Sequence, residues 1–213
     1  MILYTLNRNG YIDIAHVDNK KGLHVYVNLT NRCPCACTFC LRQTKVMEES
    51  NTLWLSKEPN VEEVLAEFEK YDLTDFEEVV FCGFGEPLER VDDVEKIARE
   101  LKKKRSDLKI RINTNGLANL IHKKDVSGQL RGCVDIVSIS LNAPDKQEYL
   151  DLTRSKFGIV SYDAMLEFAK SCKEVVPSVV LSVVSILGEE KISKCQKICD
   201  DLGVTLRVRP YEE

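Results

Sequence analysis

Four cysteines fall within the eight residues Cys33-Pro34-Cys35-Ala36-Cys37-Thr38-Phe39-Cys40, and Cys33, Cys37 and Cys40 have the spacing C-x3-C-x2-C. Thiolates are soft ligands suited to iron–sulfur or zinc, and one short loop can wrap them round a single centre. A structural zinc site normally draws on two separated ligand pairs. No second close pair of the C-x2-C kind occurs in this chain. A ferredoxin-type cluster needs a fourth thiolate, and Cys35 is available. A loop this tight would struggle to aim all four inward. Four cysteines and a proline in so short a run also make a poor packing segment. The expected chemistry is therefore an iron–sulfur centre held by three cysteines. Three ligands on a four-iron cube leave one iron without a protein donor, and an open metal position admits a substrate.

Other candidates follow strand-like runs. Cys82-Gly83-Phe84-Gly85-Glu86-Pro87 places two glycines, which let a backbone approach a ligand closely, beside a carboxylate able to balance an ammonium. Asn113-Thr114-Asn115-Gly116 and Ser138-Ile139-Ser140-Leu141-Asn142 follow the next two runs. Each is generic alone, a turn or an ordinary strand serine. Together they mark the C-terminal ends of successive strands, the face where βα folds place their sites.

The elements that must carry these residues alternate. Strands are expected at His24–Leu29, Glu78–Cys82, Lys109–Asn113, Asp135–Ser140, Val179–Val184 and Val204–Val208. Helical stripes lie between them: Val61, Val64, Leu65, Phe68; then Val91, Val94, Ile97, Ala98, Leu101; then Ala164, Met165, Phe168, Ala169, Cys172; and Ile192, Cys195, Ile198, Cys199, Leu202. Asn60 with Glu63 reads as a capping box on the first of these helices. Six such units predict an α/β fold, a partial (β/α)6 barrel, because a full barrel needs eight. Residues before 23, alternating around Asn9-Gly10, read as a β-hairpin extension. The expected organisation is one domain over residues 1–213, with a hairpin at 1–22 and the barrel core at 23–209.

Composition narrows the function. Of the 213 residues 44% are hydrophobic and 30% charged, the balance of a soluble globular protein, and the net charge of −4 gives no general pull toward nucleic acid or anionic membrane. The basic run Lys102–Arg105 reads as a solvated helix end. The N-terminus lacks a signal-peptide pattern and no stretch reaches the ~20 apolar residues of a membrane span. The nine cysteines are then expected as reduced thiols or metal ligands in a cytoplasmic protein. Cys195 and Cys199, one turn apart on an apolar stripe, are expected in the core rather than at a second cluster.

The run Cys33-x3-Cys37-x-Phe39-Cys40 resembles the signature of the radical S-adenosylmethionine (SAM) superfamily, including the aromatic residue before the last cysteine. The likeness extends over roughly Leu23 to Arg209. It implies a [4Fe-4S] cluster on Cys33, Cys37 and Cys40, and SAM contacts from Phe39, Gly83, Gly85, Glu86, Asn115, Ser140, Asn142 and Ile186. In Gly83-Phe84-Gly85-Glu86-Pro87, Phe84 interrupts the family's paired glycines. In Val184–Lys191, Ile186 and Gly188 match the family's Gly-x-Ile-x-Gly-x-x-Glu element, while the first glycine and the glutamate do not. The implied activity is reductive cleavage of SAM to a 5′-deoxyadenosyl radical, with an electron donor of flavodoxin or ferredoxin type. Asn31–Arg42 and the chain's size look most like the small radical SAM proteins associated with TatD-type nucleases, with no substrate implied. Glycyl-radical-enzyme activases and 7-carboxy-7-deazaguanine synthases are alternatives. The latter place Asp-Ser or Asp-Thr after the last cysteine, where Leu41-Arg42 stand here. A non-enzymatic electron carrier or sensor would leave the Gly85-Glu86-Pro87 and Asn115-Gly116 turns unexplained. Little sequence remains to seal a cavity beyond the sixth parallel strand, so a laterally open pocket and a macromolecular substrate or partner are expected.

Overall fold

The computed structural model describes residues 1–7, 10–44 and 52–210. Eight strands form one sheet: β1 (Leu3–Asn7), β2 (Gly10–Asp13), β3 (Leu23–Val27), β4 (Phe76–Phe81), β5 (Lys109–Thr114), β6 (Ile136–Ser140), β7 (Ser178–Val184) and β8 (Thr205–Arg209). Their spatial order is β2-β1-β3-β4-β5-β6-β7-β8. From β3 to β8 every neighbouring pair is parallel. This is the expected α/β partial barrel, with each predicted strand found within a residue or two of its expected limits.

The hairpin exists, although Asn9 of its expected turn lies outside the described residues. It is not a separate appendage. β1 pairs antiparallel with β3 in the register Leu3↔Val27 and Tyr4↔Tyr26, so the hairpin extends the sheet at one edge. Tyr4 stacks on Tyr26 with ring centroids 5.1 Å apart and meets Tyr11 edge-on, which gives that edge an aromatic seam.

Strand sequences alternate, and the alternation separates two faces. Val25, Val27, Val79, Phe81, Ile110, Ile112, Val137, Ile139, Leu181 and Val183 are buried against the helices. Those helices are α2 (Val61–Phe68), α3 (Val91–Lys104), α4 (Ala118–His122), α5 (Lys146–Thr153), α6 (Val160–Lys173) and α7 (Glu189–Leu202), while Leu41 of the short α1 (Leu41–Thr44) packs on the separate cluster of Tyr4, Tyr11 and Leu53. The predicted stripes of α2, α3, α6 and α7 supply the other half of this core, with Val94, Ile97, Phe168, Cys195 and Cys199 fully buried. The α2 capping box is present, Asn60 Oδ1 accepting from Glu63 N at 2.7 Å and Glu63 Oε2 accepting from Asn60 N at 2.9 Å.

Helices α4 and α5 were not apparent from periodicity. Both end on a left-handed residue that is not glycine, Lys123 (φ 55°) and Arg154 (φ 47°), so the usual stop signal is missing. No helix among the described residues is long and apolar enough to cross a membrane.

Candidate metal centre and cofactor pocket

The cysteine loop leaves β3 at Val27 and is tied down along its length. Asn28 Nδ2 donates to the Leu53 carbonyl at 2.6 Å. Asn31 makes a reciprocal pair with Leu55, donating from Nδ2 at 2.7 Å and accepting at Oδ1 at 3.0 Å. Glu58 accepts from the Thr30 hydroxyl and from Asn31 N at 3.0 Å, and pairs with Arg32 at 3.4 Å. On the far side the loop meets the C-terminus of α5, whose last carbonyls have no partner within the helix. Ala36 N donates to Thr153 O at 3.0 Å and Thr38 N to Leu152 O at 2.9 Å, while Lys156 N donates to Pro34 O at 2.9 Å. An otherwise irregular segment is therefore held from both directions.

The glycines after β4 have a structural reason in the same loop. A Cβ on Gly83 would overlap Asn28 Oδ1, and one on Gly85 would overlap the Thr30 and Arg32 carbonyls. Glu86 N then donates to Arg32 O at 2.8 Å. The close approach that glycine permits here is of backbone to the cysteine loop.

Within the loop the sulfurs of Cys33, Cys35 and Cys37 come together. Cys35 lies against both neighbours, and its interaction with them holds the Cys33 thiol down to about 7 and lowers Cys37, while Cys35 itself is raised. Burial raises Cys40, which closes a turn through Cys40 N to Cys37 O at 3.1 Å. Asn115 Nδ2 reaches Cys33 Sγ at 3.8 Å and Cys35 Sγ at 3.9 Å. The sequence offers Cys35 as a fourth thiolate that the tightness of the loop argues against, yet the structure places it among these sulfurs.

Glu86 is 3% exposed and joins the ends of β4 and β5. Its carboxylate accepts from Thr114 Oγ1 at 2.6 Å, Asn115 N at 2.7 Å and Leu88 N at 3.0 Å. Desolvation nevertheless pushes its pKa up to about 8, because these three donors do not make up for lost water. No ion pair of Glu86 is present among the described residues, so a cation brought beside it would favour the ionised form that burial disfavours.

Beyond the loop lies a cavity of about 420 Å³ lined by Phe39, Asn142, Glu148, Asp151, Leu152, Val184, Ile186, Leu187 and Lys191. Three residues predicted from sequence, Phe39, Asn142 and Ile186, meet there. Asn142 adopts φ 60° after β6, and its Oδ1 is buried without a hydrogen-bond partner. Ser140 ends β6 one face-repeat earlier, opposite Ser182 of β7. Ile186 is 69% exposed, so the cavity opens to solvent at its rim. Sequence reading missed Glu148, Asp151, Leu152 and Lys191. The first three lie on α5, whose one sequence signal is Asp145, an N-cap accepting from Gln147 N and Glu148 N at 3.0 Å each.

These residues fit a cluster with an attached zwitterionic ligand. The donor set is soft thiolate, the neighbouring carboxylate lacks a cation, and the adjoining cavity offers an unsatisfied amide oxygen beside an aromatic ring. Among the described residues no three His, Cys, Asp or Glu converge on one point as they would round a single ion. Thiolates that each bind a different iron of one cluster do not need to.

A family model described as "Radical SAM superfamily" matches residues 27–202. The GTP 3′,8-cyclase of Aquifex aeolicus (strain VF5) is 29% identical over 189 residues, covering 87% of this chain and 55% of the relative. The chain thus spans about half the length of that curated relative. Among solved structures, Streptococcus suis SuiB bound to S-adenosylmethionine superposes with a TM-score of 0.57 at 19% identity, covering 88% of this chain and 38% of the other. Methylornithine synthase (PylB) superposes at 0.60 and 14%, covering 88% of this chain and 52% of the other. HydG, a maturase of the FeFe-hydrogenase, gives 0.60 and 14%, with 88% and 42% covered. At these identities the structures speak for the fold.

Proposed function

Because the chain belongs to the radical SAM superfamily, we propose that it is an enzyme whose cluster loop and adjoining cavity work as one SAM-cleaving site. Its cofactors are a [4Fe-4S] cluster and S-adenosylmethionine. When bound, they supply reductive cleavage of the sulfonium to methionine and a 5′-deoxyadenosyl radical. The observation that carries the reading is continuity. Cys33, Cys37 and Cys40 sit in a loop clamped by α5, and Phe39 of that loop lines the cavity beside it.

Each residue has a task in this reading. Cys33, Cys37 and Cys40 would hold the cluster, and Cys35 and Asn115 would bear on its sulfurs without ligating. Glu86 would offset the ammonium of SAM, with Gly83 and Gly85 holding the strand end against the loop. Phe39, Ser140, Asn142 and Ile186 would seat the nucleoside part. The double anchorage of the loop would hold its backbone in place before any ligand arrives. A low-potential donor of flavodoxin or ferredoxin type is required, and a cytoplasmic location accords with that. The run Asn31–Arg42 supports placement with the TatD-associated proteins, and the open rim at Ile186 leaves room for a large substrate or partner.

The test is anaerobic. Reconstituted protein with SAM and dithionite is expected to release 5′-deoxyadenosine and methionine in equal amounts. A protein that holds four irons per chain yet neither binds nor cleaves SAM would be an electron carrier or sensor instead.

A further inference from the structure

The concave face of the sheet carries polar and charged residues among the apolar Val80, Ile136, Val180 and Val184, where a closed barrel's interior would be apolar throughout. Packed barrel interiors are dominated by Val, Ile and Leu. Here the residues facing away from the helices include Tyr26, Cys82, Arg111, Asn113, Ser138 and Ser182, followed on β8 by Arg207 and Arg209. The registers fix these positions: Cys82 falls beside Asn113, Asn113↔Ser138, Ser182↔Arg207 and Val184↔Arg209. Val184 also lines the cavity at the mouth.

Curvature brings the two sides of this face together. Arg111 from β5 and Arg207 from β8 both act electrostatically on the Tyr26 hydroxyl from β3, and Arg209 acts on Cys82. The charges do not cancel. Arg111 pairs with Glu78 at 2.8 Å, and Glu78 is further met by His24 at 3.0 Å. Arg207 makes no ion pair among the described residues, and no acidic side chain other than Glu78 stands on the concave positions of β3 to β8. Arg111 Nε and Asn113 Oδ1 are buried without hydrogen-bond partners. Edge strands often carry charge to deter pairing. That need does not explain why both arginines of β8 occupy the concave face, across from Tyr26 and Cys82. A chain of net charge −4 has thus built a locally cationic, hydrogen-bonding lumen beside its cofactor cavity.

We propose that the substrate presents an anionic group, a phosphate or a carboxylate, to Arg207 and Arg111 across this concave face, with Asn113 and Ser182 as further hydrogen-bonding contacts. This rests on the reading that the cavity at the mouth seats SAM, because the anion then lies on the side of the radical source where a substrate must sit. Arginine suits such a group through its planar array of donors.

The experiment is calorimetric titration of the anaerobically reconstituted, SAM-loaded protein with pyrophosphate and, separately, with citrate. Saturable binding of one probe to one site is expected, and the probe that binds identifies the anion. Arg207→Ala should weaken it about tenfold or more, as expected for loss of a charged hydrogen bond, and Arg207→Lys should restore part of the loss. Arg111→Ala leaves the buried Glu78 with His24 alone and risks the fold, so Arg207 carries the test. No saturable binding of either probe, or equal binding by Arg207→Ala, would overturn the proposal. So would a matching loss of SAM affinity in Arg207→Ala, which would give that arginine to SAM's own carboxylate. SAM cleavage by the wild type is measured alongside. Cleavage without anion binding sinks this inference alone, whereas anion binding without cleavage sinks the SAM reading and leaves the anion site standing.

Discussion

Cys37 and Cys199 are the same side chain in opposite surroundings. Cys37 stands in a half-exposed loop among other sulfurs, with a lowered thiol pKa. Cys199 and its neighbour Cys195 lie on the inner face of α7, fully buried, and burial pushes their thiols up to about 12 and about 11. A thiol that must shed its proton to bind metal gains from the first environment and is disabled by the second. Nucleophilic chemistry therefore follows the backbone that holds a cysteine, and the short interval between Cys195 and Cys199 creates no site.

The contrast can be broken most sharply at the loop. Cys33→Ala, Cys37→Ala or Cys40→Ala is expected to abolish cluster binding outright, read as iron and sulfide per chain after anaerobic reconstitution. Cys35→Ala should keep its iron. If Cys35→Ala lost the cluster while Cys37→Ala kept it, the ligand set would be wrong. A smaller effect is expected at Glu86. Glu86→Gln should retain iron but bind SAM about tenfold more weakly, the loss of one charged contact. Because Glu86 also clasps the Thr114-Asn115 turn, thermal stability must be measured with it; a lower melting temperature at unchanged SAM affinity would leave only the clasp. On α7, Cys195→Ser with Cys199→Ser places two hydroxyls in an apolar core and should cost about 1–3 kcal/mol each, with iron content intact. Loss of iron in that double variant would erase the distinction between the two regions. The smallest effect is expected at Asn60→Ala, which removes the cap of α2 at about 1 kcal/mol and touches no cysteine-loop contact named above; it should leave cluster and SAM binding untouched.

The parts of the molecule legible in sequence are those with a strong local signal. β-Branched runs announced the six parallel strands, and i, i+3, i+4 stripes announced α2, α3, α6 and α7. That the cysteine loop, Glu86 and Asn115 stand at neighbouring strand ends was legible too, because each follows a strand-like run. Other features were hidden because their causes are not local. The clamp on the cysteine loop comes from α5, too short and weakly amphipathic to register, ending on Arg154 where a glycine would have marked the stop. Gly83 and Gly85 looked like ligand-approach glycines, and what they admit is the Asn28 side chain and the Thr30 and Arg32 carbonyls of the cysteine loop. The hairpin read as an extension before the first unit, and its pairing with β3 was hidden because it depends on tertiary register. The polar lumen was written into each strand as alternation, yet its sign emerges only when curvature sets β8 across from β3.

The clamp also orders events in time. Thr38 and the Leu152 that restrains it are 114 residues apart. At ordinary ribosomal speeds of roughly 5–20 residues per second, an interval on the order of ten seconds separates the synthesis of the thiols from that of their anchor. During that interval the nascent loop has its sulfurs but not the helix end that holds its backbone in place. Cluster delivery before α5 emerges would meet a floppy ligand set open to miscoordination or oxidation. Maturation is therefore expected to follow emergence of α5, in the last third of the chain, and ribosome-bound chains halted with residue 153 still inside the exit tunnel or well clear of it should differ in how readily they accept iron.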